Sequence, residues 1–308
     1  MKIEKVLLVH KKSIYQLYVN EHKNKGVRQA IARGDRAAQR MQRSHQAQEA
    51  ALARSVNALT KLGIQVTVRW RAHMRASRDY DLVVGFGGDG TVLDTSHRVL
   101  DDTPLLGINS DPKTSVGALC AGAASDLPRL IADLSHDKLR PQSITRLRVQ
   151  VEGQDVLGPC LNDVLYAHAS PAELSRFDMG LISTEDATRF AKRRRSGLDM
   201  HRCSGLWVST ATGSTAAVRS AGGKIMPSLS RRLQYLVREP YYPPGEERPK
   251  GIVGGFIDGE HALAIVSRVR RGMIWADGPH RRMSVAYGQR VVVDAHPQPL
   301  RLIRRAYR

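Results

Sequence analysis

Cysteine is scarce in this chain: Cys120, Cys160 and Cys203 are the only three in 308 residues. They are odd in number, widely separated and without C-x-x-C spacing. That excludes a disulfide framework, argues against a structural zinc site and fits a reducing cytoplasm. Aromatic residues make up 5%, with four Phe and three Trp, so stacking platforms for single-stranded nucleic acid are few. No apolar run approaches the ~20 residues of a membrane span. Met1-Lys2-Ile3-Glu4-Lys5 has no apolar leader core, and Val6 to Val9 reads as a first strand instead.

Acidic side chains are the other shortfall. Asp and Glu number 29 against 48 Lys and Arg, a net charge of +19 that favours anionic partners. The cations cluster at Lys192-Arg193-Arg194-Arg195, Arg268 with Arg270-Arg271, Arg281-Arg282, and Arg301 with Arg304-Arg305. No helix-turn-helix, zinc-finger or RNP pattern accompanies them, which argues against nucleic acid. A basic surface around phosphorylated small molecules accounts for the same charge, and Arg193 to Arg195 read either as a solvated face or as a contact to polyphosphate.

Apolar patterning divides the chain. Ile64 to Trp70, Asp81 to Phe86 and Pro104 to Ile108 read as further strands. Between them lie a helix over about 47–62 closed at Gly63, another over Leu93 to Leu100, and one over Leu127 to Leu134. The basic stretch from Glu21 to Ser44 reads as either an exposed helix or a mobile segment. Alternating strands and helices predict an open parallel α/β sheet over 1–138, with ligands outside the carboxyl ends of its strands. After Pro141 the period becomes two, over Ile144 to Glu152, Val156 to Ala167, Phe177 to Ser183, Leu206 to Thr210, Ile252 to Ile257, Leu263 to Ser267 and Arg290 to Ala295. This predicts a mostly β, sandwich-like domain over 139–296, with one helix around Leu229 to Val237. A basic tail over 297–308 is free to return to the first domain. His168, His201, His261 and His280 lack metal-ligand spacing and read as surface or loop residues.

The chemistry concentrates in two segments. Val83-Val84-Gly85-Phe86-Gly87-Gly88-Asp89-Gly90-Thr91 is a buried strand ending in a glycine turn, where backbone N–H groups can approach an anion closely. A carboxylate in such a cradle repels phosphate. It makes sense where it takes the proton of a hydroxyl attacking a phosphoryl group. A plain Gly-Asp-Gly turn is the other reading of the residues alone. Ser209 to Gly223 is dense in hydroxyls and glycine, suiting either a sugar-phosphate ligand or an ordinary polar loop.

Together, Gly87-Gly88-Asp89-Gly90-Thr91, Asn162-Asp163 and Thr212-Gly213-Ser214-Thr215 followed by Ser220-Ala221-Gly222-Gly223 resemble the NAD kinase family in order and spacing. The resemblance runs from about Asp81 to near the C-terminus. Gly107-Ile108-Asn109-Ser110-Asp111-Pro112, Ser175-Arg176-Phe177 and Val237-Arg238-Glu239-Pro240 are similar to its plant-type NADH kinase branch.

The resemblance implies transfer of the γ-phosphoryl group of ATP, with Mg²⁺, to the 2′-hydroxyl of the adenosine ribose of NAD or NADH. Asp89 becomes the general base, and Gly87, Gly88, Gly90 and Thr91 hold phosphates. Asn162, Asp163, Arg202, Ser204, Thr212, Ser214, Thr215, Ala216 and Ser220 become dinucleotide contacts. No protein cage for the metal is expected, and a homo-oligomer is. Asp163 stands where the family has Glu, Ser204-Gly205 where it has Asp-Gly, and Ala217 where Tyr is common. A lipid kinase of the same superfamily and a dinucleotide-binding protein without turnover remain alternatives, as does a basic nucleic-acid-binding protein.

Overall fold

A computed structural model describes residues 1–75, 77–113, 115–190, 197–245 and 252–304. The arginine run 193–195 and Arg305 lie outside the described residues. Met1–Gln142 with the strand from Leu300 form one compact unit, and Ser143–Pro299 form the other. Among the described residues no helix is long and apolar enough to cross a membrane.

The first unit is built on strands β1 (Lys5–His10), β2 (Gln65–Trp70), β3 (Leu82–Gly87), β4 (Leu105–Asn109) and the two-residue β5 (Gly122–Ala123). All are parallel, with registers such as Leu8↔Val84 and Val84↔Leu106. β3 and β4 are buried along their whole lengths, as apolar runs covered on both faces must be. Helices α1 (Lys25–Ala32) and α2 (Arg36–Lys61) occupy the basic stretch that the sequence left between two readings. Each has a side-chain cap: Asn24 accepts from the N–H of Val27, and Asp35 from those of Ala37 and Ala38. α2 buries Ala51 and Leu59 against the sheet, and α4 (Leu127–Ser135) adds Leu127, Leu130, Ile131 and Leu134 to the same core. Between β3 and β4, α3 spans Asp89–Ser96. It therefore starts at Asp89 rather than Leu93, because the glycine turn is itself the helix start.

After the short strand β6 (Gln142–Ile144), the second unit holds β7 (Leu147–Val151), β8 (Gln154–Cys160), β9 (Asp163–His168), β10 (Ser175–Ser183), α5 (Thr184–Phe190), β11 (Asp199–Cys203), β12 (Gly205–Ser209) and α6 (Ala217–Ser220). Then come β13 (Leu233–Arg238), β14 (Gly254–Ile257), β15 (His261–Ser267), β16 (Gly272–Ala276), β17 (Arg282–Val285) and β18 (Arg290–Ala295). They form two antiparallel sheets, ordered β11-β10-β15-β18-β7-β8 and β14-β13-β12-β9-β16-β17. Inward residues of both sheets, among them Val149, Phe177, Ile265, Tyr166, Val208 and Ile274, share one core.

Three sequence expectations change here. Leu229 to Val237 is not helical: Leu233 and Tyr235 face the core from β13, which pairs with strands on both sides. The run 156–167 breaks at Leu161 and Asn162 into β8 and β9. His168 and His201 are buried, and His201 stacks on Phe177 with ring centroids 5.5 Å apart. The cysteines are buried and unpaired, and burial pushes the Cys120 thiol up to about 12 with the Asp89 charge adding to it.

The last strand, β19 (Leu300–Ile303), lies parallel to β4 in the first unit, so its sheet runs β2-β1-β3-β4-β19. β4 also supports the loop that follows it. The Gly107 carbonyl accepts from the N–H of Ala121, and a Cβ at Gly107 would lie 2.3 Å from the Leu119 carbonyl oxygen. Only glycine lets the 117–121 segment pack this closely. Gly107→Ala should cost about 1–3 kcal/mol through overpacking. Gly259→Ala, where a Cβ meets nothing within 4 Å, should be near neutral. Urea denaturation of the two variants beside the parent checks this; equal midpoints would contradict the packing.

Candidate active site

The first constellation lies where β3 ends. Gly88 is the N-cap of α3 and supplies no side chain, so the first N–H groups of the helix have no side-chain partner. A helix start of this kind attracts anions through its exposed N–H groups and its dipole. Asp89 is half-buried, and its carboxylate is held from the loop after β4: Ala118 donates to Oδ2 at 3.0 Å and Leu119 to Oδ1 at 2.7 Å. Thr91 is 1% exposed, and its Oγ1 has no partner among the described residues.

Further bonds brace that loop. The Asn109 side chain donates to the Ser115 carbonyl and accepts from the N–H of Asp111, while Ser110 donates to the Gly87 carbonyl. The other wall comes from α2, which the sequence did not connect with this chemistry. Ser44 donates to Asp111 at 2.7 Å and Gln48 to the Lys11 carbonyl at 2.6 Å. Between the walls is a cleft of about 790 Å³ whose lining includes Lys11, Lys12, Arg40, Arg71 and Gly88 to Thr91. A buried hydroxyl with no partner, a carboxylate and several cations around one cleft suit a phosphorylated ligand.

The second constellation lies in the other unit, at the start of β9. Asp277 sits at φ +49°, a conformation uncommon for any residue but glycine. Its carboxylate accepts from the N–H groups of Leu161 and Asn162, both at 2.7 Å, and of Asp163 at 3.1 Å. Asn162 in turn abuts the hydroxyl-rich segment: its carbonyl accepts from Thr210 N–H, and a Cβ at Gly213 would come within 2.0 Å of that oxygen. Asn162 Oδ1, Ser209 Oγ and Thr212 Oγ1 are buried without partners among the described residues. Water or a polar ligand can complete the hydrogen bonding of polar atoms left this way.

The remaining expected residues divide by position. Ser214 is fully buried, and its hydroxyl serves the fold by donating to the Ala211 carbonyl and accepting from Met226 N–H. Thr215 is exposed and donates to the Thr212 carbonyl, with Ala216 beside it and Ser220 exposed at the end of α6. Arg202 and Ser204 are not brought to the cluster. β12 starts at Gly205 and meets Asp163 at Ser209, which puts Ser204 about 15 Å along the strand from the Asn162 end. Neither Asp277 nor the 118–119 amides was among the expected site residues. Asp277-Gly278 is the only local signal, a residue pair that tolerates unusual backbone.

Residues 1–138 match the profile of the ATP-NAD kinase N-terminal domain. A probable NADH kinase of Oryza sativa subsp. japonica is 34% identical over 245 residues, 73% of this chain and 71% of that protein. The chain belongs to the NAD kinase family. The general reaction of the family is phosphorylation of NAD or NADH, and the protein is an enzyme of that type. Two solved structures share the fold. One is a yeast NADH kinase complexed with NADH, with TM-score 0.70 and 14% identity, covering 99% of this chain and 85% of that one. The other is an Archaeoglobus fulgidus NAD kinase in complex with ATP, with TM-score 0.61 and 17% identity, covering 96% and 92%.

Within this family member, Asp163 carries an unusual burden. It is 8% exposed, and burial, reinforced by the Asp277 carboxylate, pushes its carboxyl up to about 7. A folded-state value above the unfolded one favours the neutral acid. The stability it gives is fully present below about pH 4 and is lost as pH rises through 7. Asp163→Asn, uncharged at every pH, should therefore gain stability over the parent progressively between about pH 4 and 7 and hold that gain above it. Melting temperatures of both proteins across that range test this, and a pH-independent gap would contradict it.

Proposed function

We propose that the chain transfers the γ-phosphoryl group of ATP to the 2′-hydroxyl of the adenosine ribose of NAD or NADH, giving NADP or NADPH. The observation that carries this reading is the fixed Asp89 carboxylate beside the N-terminus of α3. Its two backbone bonds use about two of four lone-pair positions, leaving the others to accept a hydroxyl proton. As the 2′-oxygen forms its bond to the γ-phosphorus, the bond to the β–γ bridging oxygen breaks and ADP leaves. The hydroxyl proton passes to Asp89. Phosphoryl transfer of this kind depends chiefly on positioning and charge stabilisation, which a clamped carboxylate and a helix start supply.

In this reading Gly87, Gly88, Gly90 and Thr91 hold the phosphates. Asn162, Asp163 and Thr212 meet base and sugar hydroxyls of the dinucleotide, with Thr215, Ala216 and Ser220 on the adjoining turn and helix. Ser214 acts by holding that turn. A dinucleotide would have to extend along β12 to meet Arg202 and Ser204. Among the described residues no three His, Cys, Asp or Glu side chains converge to hold a metal ion. In this reading Mg²⁺ is bound by the phosphates of the donor and by water. Such an ion neutralises charge on the phosphate oxygens.

The test is formation of NADP(H) from NAD and from NADH with ATP and Mg²⁺, comparing the parent with Asp89→Asn. Loss of a positioned general base should lower kcat about 10²–10⁴-fold with dinucleotide binding retained. Unchanged kcat would remove Asp89 from the mechanism, and a product phosphorylated elsewhere would remove the 2′-hydroxyl.

A further inference from the structure

The first unit holds a second cavity, and no residue that lines it also lines the cleft at Asp89. It forms on the sheet face opposite the core shared with α2 and α4. Val6, Leu8 and Val68 point into that core, so Leu7 and Arg69 alternate to the other side. At β3 this second face is met by α3, where Val92 approaches Gly85. At β1 and β2, Leu7, Arg69, Met74 and Tyr80 help to enclose about 1020 Å³, the size of a small-molecule site.

Met74, Ser77 and Tyr80 lie outside helices and strands, yet each is held. The Met74 residue is 2% exposed, and its carbonyl accepts from Arg98 Nη1 at 2.9 Å. Ser77 donates to the Asp101 carboxylate, 3.1 and 3.0 Å from its two oxygens, and the Tyr80 N–H donates to the Ser77 carbonyl. The wall of the cavity is therefore fixed by named bonds rather than by regular structure.

Its charge is what calls for a ligand. Arg69, Arg75 and Arg98 line the cavity, and Asp79 is the one carboxylate among its described lining residues. Arg71 on the adjoining turn pairs with Asp94, but none of these three arginines has a carboxylate partner among the described residues. Arg69 and Arg98 each donate once to a backbone carbonyl, of Val68 and of Met74. Most of the guanidinium donors are thus left unused. Three cations around one opening repel one another until an anion joins them. Guanidinium forks match phosphate oxygens two at a time.

We propose that this cavity is a second anion site, for a small molecule carrying more than one phosphate, with Arg69, Arg75 and Arg98 on the phosphate oxygens. The volume leaves room for the carbon skeleton of such a molecule beside Tyr80. The site is separate from the donor and acceptor positions at the Gly88 turn and does not depend on them.

Titration calorimetry with inorganic pyrophosphate tests the assignment without turnover. It is done at about 0.15 M salt, where diffuse surface charge is screened beyond ~8 Å. Arg69 and Arg75 are exposed, so Arg69→Gln combined with Arg75→Gln should fold normally, which its melting temperature checks. Losing charge-assisted bonds should weaken pyrophosphate about tenfold or more. Arg75→Gln alone breaks no hydrogen bond among the described residues and should weaken it in part. The control is Arg40→Gln combined with Arg54→Gln, which removes the same two charges from exposed positions on α2, one at the Asp89 cleft and one at neither cavity. It should bind pyrophosphate as the parent does. Parental affinity in the Arg69 and Arg75 variants would overturn the site. An equal loss in the control pair would also overturn it, by placing the anion at the Asp89 cleft or on net charge alone.

Discussion

Two backbone N–H groups, those of Ala118 and Leu119, hold the carboxylate of Asp89, and much of the first unit serves to keep them there. Gly107 lets their segment pack on β4, the Asn109 side chain bridges to Ser115 and Asp111, and Ser110 ties the loop to the end of β3. A side chain on a flexible turn would sample many rotamers. Here the carboxylate is fixed between the ends of two neighbouring parallel strands, where α/β sheets place their ligands. That rigidity is what phosphoryl transfer asks of a base, because geometry contributes more than intrinsic basicity.

The second unit repeats the device with a different purpose. Asp277 collects three successive N–H groups at the start of β9 and so presents Asn162 and Asp163 in a set orientation. Gly213 then allows the hydroxyl-rich turn to close onto the Asn162 carbonyl. The result is a group of buried polar atoms whose hydrogen bonding is incomplete among the described residues. Both units thus use a carboxylate that gathers backbone amides, once on the proposed base and once behind residues proposed to contact ligand.

Much of the fold and part of the site could be read from local pattern. The Gly87 to Thr91 turn was visible because an all-apolar strand ending in glycines and an aspartate is a local signal. The TGST segment was visible for its density of hydroxyls. The partners of Asp89 lie 29 and 30 residues away, and the amides held by Asp277 lie 114 to 116 residues away, with nothing local to announce either pairing. Leu229, Leu233, Leu236 and Val237 carry helical spacing, but the pairing of β13 between two neighbours outweighs it. The basic stretch from Glu21 to Ser44, which runs into α2, read as either an exposed helix or a mobile segment. Its link to the site depends on Ser44 reaching Asp111, a contact the fold creates.

Placement of the Asp89 carboxylate, more than its charge alone, is what the proposed transfer requires, and Asp89→Glu separates the two. Glutamate keeps the base but moves it by one methylene, so it cannot both accept from Ala118 and Leu119 and occupy the same point. Single-turnover phosphorylation of NADH by this variant, with ATP and Mg²⁺ saturating, is the most direct measurement. A rate lowered at least about a hundredfold, with both substrates still bound, is the predicted result. A rate equal to that of the parent would contradict the central role given to the clamp.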